Sequence, residues 1–264
     1  MPPLLPLIAC LLGACAVLLS VTASAQERVV HVGAVHFPPY VMKTEDAQPR
    51  ALLPQLVDAL NRVQTDFRFV TVPTSLARRF RDFETGRIDL ALFENPAWGW
   101  QSMDYRDIDM GLEDAEVFVA RQEATRTQTY FADLAGKRLA LYNGYHYGFA
   151  NFNADPSYLA RHFNVVLTYS HDSNLLMLLH GRADIALVTR SYIDDFLARY
   201  PEYEAQLLIS ERIDQRYQHH ALLRPEAPIS AERFAELMEQ LRVGGQLQAI
   251  FGRQHISVRP AVSP

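Results

Sequence analysis

Hydrophobic positions in this 264-residue chain alternate between short continuous runs and stripes at helical spacing. Residues 29–35 are mostly β-branched and apolar and predict a strand. It stops at Phe37-Pro38-Pro39-Tyr40, where two prolines remove the backbone donors a ladder needs. Leu52, Leu53, Leu56, Val57, Leu60 and Val63 then recur at the spacing of a helix face. Residues 67–72 predict a second strand, 75–85 a helix carrying Leu76, Arg79, Phe80 and Phe83 on neighbouring turns, and 88–93 a third strand. Strand–helix–strand–helix–strand in this order implies a parallel sheet with right-handed crossovers.

The pattern then repeats. Residues 138–142, 165–169 and 183–189 predict strands, and 155–162 and 173–180 the helices between them. A further helix over 191–200 ends at Pro201. Residues 116–120 are strand-like, with a matching return at 217–223, so the chain crosses twice between its halves. The stretch 230–251 predicts a helix with Phe234, Leu237, Met238 and Leu241 on one face and Ser230 placed to cap it. One seven-residue string marks the duplication: Gly86-Arg87-Ile88-Asp89-Leu90-Ala91-Leu92 returns 95 positions later as Gly181-Arg182-Ala183-Asp184-Ile185-Ala186-Leu187. In both copies Gly ends a helical stretch, as suits the left-handed turn past a helix, and the run after Asp predicts a strand buried on both faces.

Composition narrows the class. The formal charge of −5 comes without a basic stripe, which argues against nucleic acid as partner. Residues 1–25 carry no charged side chain and close on Ala23-Ser24-Ala25, the small-x-small pattern of a cleaved secretory signal peptide. A lipoprotein anchored through Cys15 is the alternative, because Leu12-Gly13-Ala14-Cys15 resembles a lipobox. Both cysteines, Cys10 and Cys15, fall in this segment, so the exported chain is expected to rely on its core rather than on disulfides.

The order of these features resembles the periplasmic solute-binding proteins of family 3. The signals are the leader, Phe37-Pro38-Pro39-Tyr40, the two Gly-Arg-x-Asp units, Asp133-Leu134-Ala135-Gly136-Lys137-Arg138 with Asn143-Gly144, and the closing Gly245-Gln246-Leu247-Gln248-Ala249-Ile250-Phe251. The resemblance implies an α/β, two-lobed periplasmic-binding-protein (type II) fold, each lobe a mixed, mostly parallel sheet flanked by helices, joined by a two-segment hinge. The segments expected are a leader over 1–25, a first lobe over 26–117, an inserted second lobe over 118–211, and a return with C-terminal helices over 212–264. Such proteins close on ligand by hinge bending. The resemblance also places the α-carboxylate-gripping Arg near Trp100 or Gln101 and the ammonium-pairing acid at Thr189, while Gly-Thr-Thr reads Gly144-Tyr145-His146. An α-amino acid wants a bidentate Arg and an acid, and neither stands at these positions.

Ligands of parallel α/β lobes gather at the carboxyl ends of strands. Those ends supply Phe37 and Tyr40, Glu94 and Asn95, Tyr145 and His146, and Thr189 and Arg190. Trp98 and Trp100 either wall the cleft or pack inside a lobe; Glu94 either faces the cleft or is solvated. A carboxylate among aromatic rings would suit a cationic or amine-bearing solute, whereas Arg78, Arg79, Arg106 or Arg190 would suit an anion if any of them reached the cleft. His146 is either a contact or a polar loop residue.

The sequence carries no nucleophile elbow, P-loop, dinucleotide fingerprint or H-E-x-x-H pattern, and no cofactor or metal is expected. His219 and His220 would point to opposite faces of a strand. The expectation is therefore a periplasmic, monomeric, non-catalytic protein that captures a small polar solute, amino acid-like or amine-bearing, and presents its closed form to an ABC permease. The alternatives are a dehydratase-type enzyme of the same fold, with Glu94 as general acid, and a sensing subunit that addresses a membrane receptor.

Overall fold

The computed structural model describes residues 28–42 and 51–261. The leader expected over 1–25, with Cys10 and Cys15, lies outside the described residues. The first half runs β1 (Arg28–Val35), α1 (Leu52–Val63), β2 (Phe67–Thr74), α2 (Arg79–Glu84) and β3 (Leu90–Glu94). β1 is central and parallel to both β2 and β3. α1 buries the stripe Leu52, Leu53, Leu56, Val57 and Leu60 against this sheet. The helix expected over 75–85 shortens to α2, because residues 76–78 form turns that end with Arg79 aimed inward.

A long strand, β4 (Arg106–Arg121), leads into the second half: β5 (Leu139–Tyr142), α3 (Pro156–His162), β6 (Val165–Thr168), α4 (His171–Leu179) and β7 (Ile185–Thr189). Here β5 is central and parallel to β6 and β7, so the two halves repeat one topology. α5 (Arg190–Arg199) follows, then the second long strand, β8 (Leu207–Leu223). α6 (Ala231–Val243) starts at Ser230, whose Oγ accepts from Arg233 N. The single helix expected over 230–251 breaks at Gly244-Gly245, the second in the left-handed region, and resumes as α7 (Gln246–Phe251) before β9 (Ser257–Val258). Among the described residues no helix is long and apolar enough to cross a membrane.

The strand order is β2-β1-β3-β8-β4-β7-β5-β6, with β9 on β4. The two halves thus share one hydrogen-bonded sheet, because β4 and β8 pair antiparallel through both. Their packing still divides. On β4, Ile108, Met110 and Leu112 belong to the core of the first half, whereas Ala115, Val117 and Val119 belong to a core of the second. Both long strands extend well before the segments read from sequence, since runs such as Arg106-Asp107-Ile108-Asp109 look like loop until a partner strand is known.

The duplicated string has the same structural job twice. In the first copy the Asp89 carboxylate accepts from His31 N at 2.9 Å, while Asp89 N donates to His31 O at 2.8 Å. In the second, Asp184 accepts from Arg138 N at 2.7 Å and its N donates to Arg138 O at 2.9 Å. Each Asp staples the start of the third strand to the first strand of its own half. Gly86 (φ 72°) and Gly181 (φ 67°) make the left-handed turns that free the chain to reach there. Asp89 is buried and also ion-paired to Arg224 at 2.9 Å, whereas Asp184 is a third exposed and paired to Arg138. Asp89→Ala is therefore expected to cost about 2–3 kcal/mol and Asp184→Ala about 1 kcal/mol in urea unfolding. Gly86→Ala and Gly181→Ala should cost nearly equal amounts, about 1–2 kcal/mol each.

Candidate functional site

The halves meet over a cleft with two chambers. The inner one, about 40 Å³, is lined by Phe37, Arg79, Glu94, Trp98 and Tyr217 from the first half and hinge, and by Gly144, Tyr145 and His146 from the second. It has room for a few water molecules. The outer one, about 580 Å³, is lined among others by His36, Ser75, Phe80, Tyr142, Asn143 and Tyr169. Val35, Leu76, Arg79, Gly144 and His146 border both. Leu76 lies over Gly144 so closely that a Cβ there would sit 3.4 Å from its Cδ1, in a backbone already at φ 85°.

Phe37 organises the inner wall. Its loop is closed by Phe37 N donating to Val41 O at 3.0 Å and Val41 N donating to Phe37 O at 2.9 Å. The ring stands edge-on to Trp98 at 6.0 Å, Tyr145 at 5.5 Å and Tyr217 at 6.1 Å. Edge-to-face contacts of this kind place ring hydrogens against π-faces and fix orientation as well as burial.

Glu94 reaches the cleft through a bulge. Strict alternation from Leu90 would send residue 94 into the first core. The β3–β8 register instead shifts between Ala91 and Glu94, with Phe93 in the left-handed region at φ 61°. Phe93 takes the core position, against Tyr40, His219 and Phe251, and Glu94 turns to the other face. A bulky residue there is a strained conformation, held by this packing.

Glu94 is not a free carboxylate for an amine. Arg79, which is 3% exposed, holds its Nε 3.4 Å from Glu94 Oε1 and donates from Nη2 to Trp98 O at 2.9 Å. Trp100 Nε1 donates to Glu94 Oε2 at 2.9 Å. Arg79 also stacks over Phe80, 4.6 Å from the ring centroid. Burial raises the Glu94 pKa, outweighing the lowering by Arg79 and Trp100. Arg79, whose default reading from sequence is a surface arginine, is the cation of the site. No signal in the sequence singled it out from Arg78, Arg106 and Arg190, because the burial of Glu94 that demands a partner follows from the bulge.

Of the sequence candidates, Phe37, Glu94, Trp98, Tyr145 and His146 come together in the inner chamber. His146 Nδ1 lies 2.7 Å from Phe152 O, and burial lowers its pKa. The other four are used elsewhere. Asn95 Oδ1 accepts from Ala97 N in a local turn. Thr189 is fully buried and caps α5 by accepting from Tyr192 N. Arg190 is exposed and lines a separate groove with Arg216 of β8 and His255, which follows α7. Tyr40 is fully buried: its hydroxyl donates to Asp114 Oδ2 at 2.8 Å and lies 2.7 Å from His219 Nε2.

Tyr40 belongs to a polar seam between the halves. Asp114 on β4 accepts from Tyr40 of the first half and from Ser191 Oγ of the second at 2.5 Å. Gln215 on β8 accepts from Trp98 Nε1 at 3.3 Å and donates to His146 O. Asp214 accepts from Gly148 N and Phe149 N. Glu116, fully buried on β4, accepts from the Tyr217 hydroxyl. Burial first, then the nearby Asp214 and Asp114 charges, push the Glu116 pKa up to about 8 against the lowering by Tyr217.

Removing one partner of the Arg79–Glu94 pair leaves a buried charge uncompensated. Arg79→Met should cost about 3 kcal/mol in urea unfolding, and adding Glu94→Gln to it should recover most of that loss. For Glu116 the unfolded chain gives up its proton near 4.5 while the native carboxyl holds it to about 8. Stability from this group is therefore full below the unfolded value, falls as pH rises through the window, and levels off beyond about 8. Glu116→Gln should remove that slope, raising Tm at pH 8.5 by about 3–6 °C relative to the parent while changing it little at pH 4.5.

No protein-family model matches the chain, and no curated protein matches it by sequence. Solved structures do match its fold. A variant of ArgBP from T. maritima is similar at TM-score 0.63 and 19% identity, over 86% of this chain and 95% of that one. The GluR0 ligand-binding core from Nostoc punctiforme, in complex with L-glutamate, is similar at 0.64 and 15%, over 85% and 98%. A histidine kinase sensor domain described as similar to periplasmic binding proteins matches at 0.63 and 18%, over 89% and 98%. At these identities the likeness establishes the architecture: this chain has the two-lobed periplasmic-binding-protein fold.

Proposed function

We propose that this protein is an exported solute-binding protein that captures one small ligand between its lobes. In this reading the ligand-loaded, closed form is what a membrane partner, an ABC importer permease, recognises. The observation that carries it is the construction of one cavity from both halves, with Phe37, Arg79, Glu94 and Trp98 on one side and Gly144, Tyr145 and His146 on the other. A ligand bridging such walls stabilises closure by its differential contacts with the closed state. The neighbours of known structure include an ancestral arginine-binding protein bound to arginine and a ligand-binding core in complex with L-glutamate, which supports binding as the activity of the fold.

Catalysis of the dehydratase type would need Glu94 to hand a proton to a substrate. Its two oxygens instead face Arg79 and Trp100. A sensing role is favoured by one observation, the matching sensor domain of a histidine kinase, and differs from transport only in the partner that reads closure.

Mass spectrometry of small molecules released from the purified protein tests the reading, joined with small-angle scattering. A co-purifying solute that lowers the radius of gyration on re-addition is the expected result. Leu76→Trp, which fills the constriction between the chambers, should weaken that solute at least about tenfold, ~1.4 kcal/mol. No released solute, and no compaction with a cell extract, would remove the proposal.

A further inference from the structure

We infer that the ligand is an uncharged molecule with an aromatic or otherwise apolar body and a hydrogen-bond acceptor, and not a zwitterionic amino acid. This inference rests on the binding reading above and names its ligand class.

The first reason is the charge inventory. Among the described residues, histidines apart, Arg79 and Glu94 are the charged side chains on the walls of the two chambers, and they face each other at 3.4 Å. An α-amino acid brings a carboxylate and an ammonium, and each would have to be drawn from water and matched. Arg79 and Glu94 already neutralise each other, so two further ligand charges would meet a pair with no net charge to offer them. Arg79 is pinned by Trp98 O and by stacking on Phe80, and Glu94 by Trp100 Nε1. The positions that the resemblance would use instead, Gln101 and Thr189, carry no charge, and Thr189 is spent on capping α5.

The second reason is the wall itself. Phe37, Trp98, Tyr145 and Tyr217 surround the inner chamber, and Phe80, Tyr142 and Tyr169 extend the aromatic lining into the outer one. Rings in edge-to-face contact present faces and edges that suit another ring. The outer chamber, about 580 Å³, has the size of a small-molecule pocket, whereas the inner one admits little more than the end of a ligand.

The third reason is an unspent donor. Tyr145 is 7% exposed and lines the inner chamber, and its hydroxyl is buried without a hydrogen-bond partner. Burial raises its pKa well above the ordinary phenol value, so it stays protonated and able to donate. A buried donor left alone is costly, and a ligand carbonyl or ether oxygen brought against it as the wall adjusts would remove that cost.

Acetophenone and ethylbenzene have nearly the same shape and differ in the acceptor oxygen, which makes them the test probes. Binding is followed by tryptophan fluorescence and ligand-detected NMR on the purified protein, beside L-arginine, L-glutamate and L-phenylalanine. Acetophenone is expected to bind more tightly than ethylbenzene, and the amino acids not to bind. Tyr145→Phe, which keeps the ring, should weaken acetophenone about five- to tenfold and leave ethylbenzene unchanged. Compaction by an amino acid without acetophenone binding would overturn the inference while leaving the binding reading intact. Equal loss of both probes on Tyr145→Phe would overturn the donor role, and absence of binding by either aromatic probe would overturn the ligand class.

Discussion

The antiparallel ladder between β4 and β8 is the constraint on which the rest depends, since each of these strands belongs to both halves. Apolar side chains on them serve one core and then the other, and polar ones sit where the cores change over. Asp114, Glu116, Asp214 and Gln215 are expensive to bury; Asp114, Asp214 and Gln215 are matched by named partners, and Glu116 by Tyr217 at one of its two oxygens. Directional bonds of this sort define one relative placement of the halves, where greasy contact would tolerate many. The seam therefore sets where Phe37 meets Tyr145.

Within the cleft, electrostatics follow from the same economy of burial. Arg79 and Glu94 are brought from α2 and β3 to neutralise each other beneath a lid of rings. Such a pair contributes little net stability, because desolvation offsets attraction, yet it fixes geometry. What it leaves at the surface of the cavity is mostly ring and methyl.

Much of the architecture was legible in the sequence. The Gly-Arg-x-Asp duplication marked the two halves, and the structure shows why: Asp89 and Asp184 make the same pair of backbone bonds. The apolar runs located the core strands, and the stripe of α1 located its buried face. Less of the site could be read. Period-two alternation could not foresee the bulge at Phe93, a tertiary event driven by packing against His219 and Phe251. Arg79 looks like any surface arginine until Glu94 is known to be buried opposite it. Tyr40 sits beside Phe37 in sequence but one turn of the loop sends it into the seam rather than the cleft. The polar flanks of β4 and β8 hid their length, because their pairing partners lie about a hundred residues away.

Tyr217 stands with its ring on the cavity wall and its hydroxyl on Glu116. Among the described residues, the bond from Tyr217 is the hydrogen bond that steadies the ionised form of Glu116. Lengthening the bond makes Glu116 hold its proton more tightly; shortening it lets the proton go. Tyr217 thus ties the wall of the cavity to a buried acid on β4, so that a shift of the ring would be registered as a change in how firmly Glu116 holds its proton.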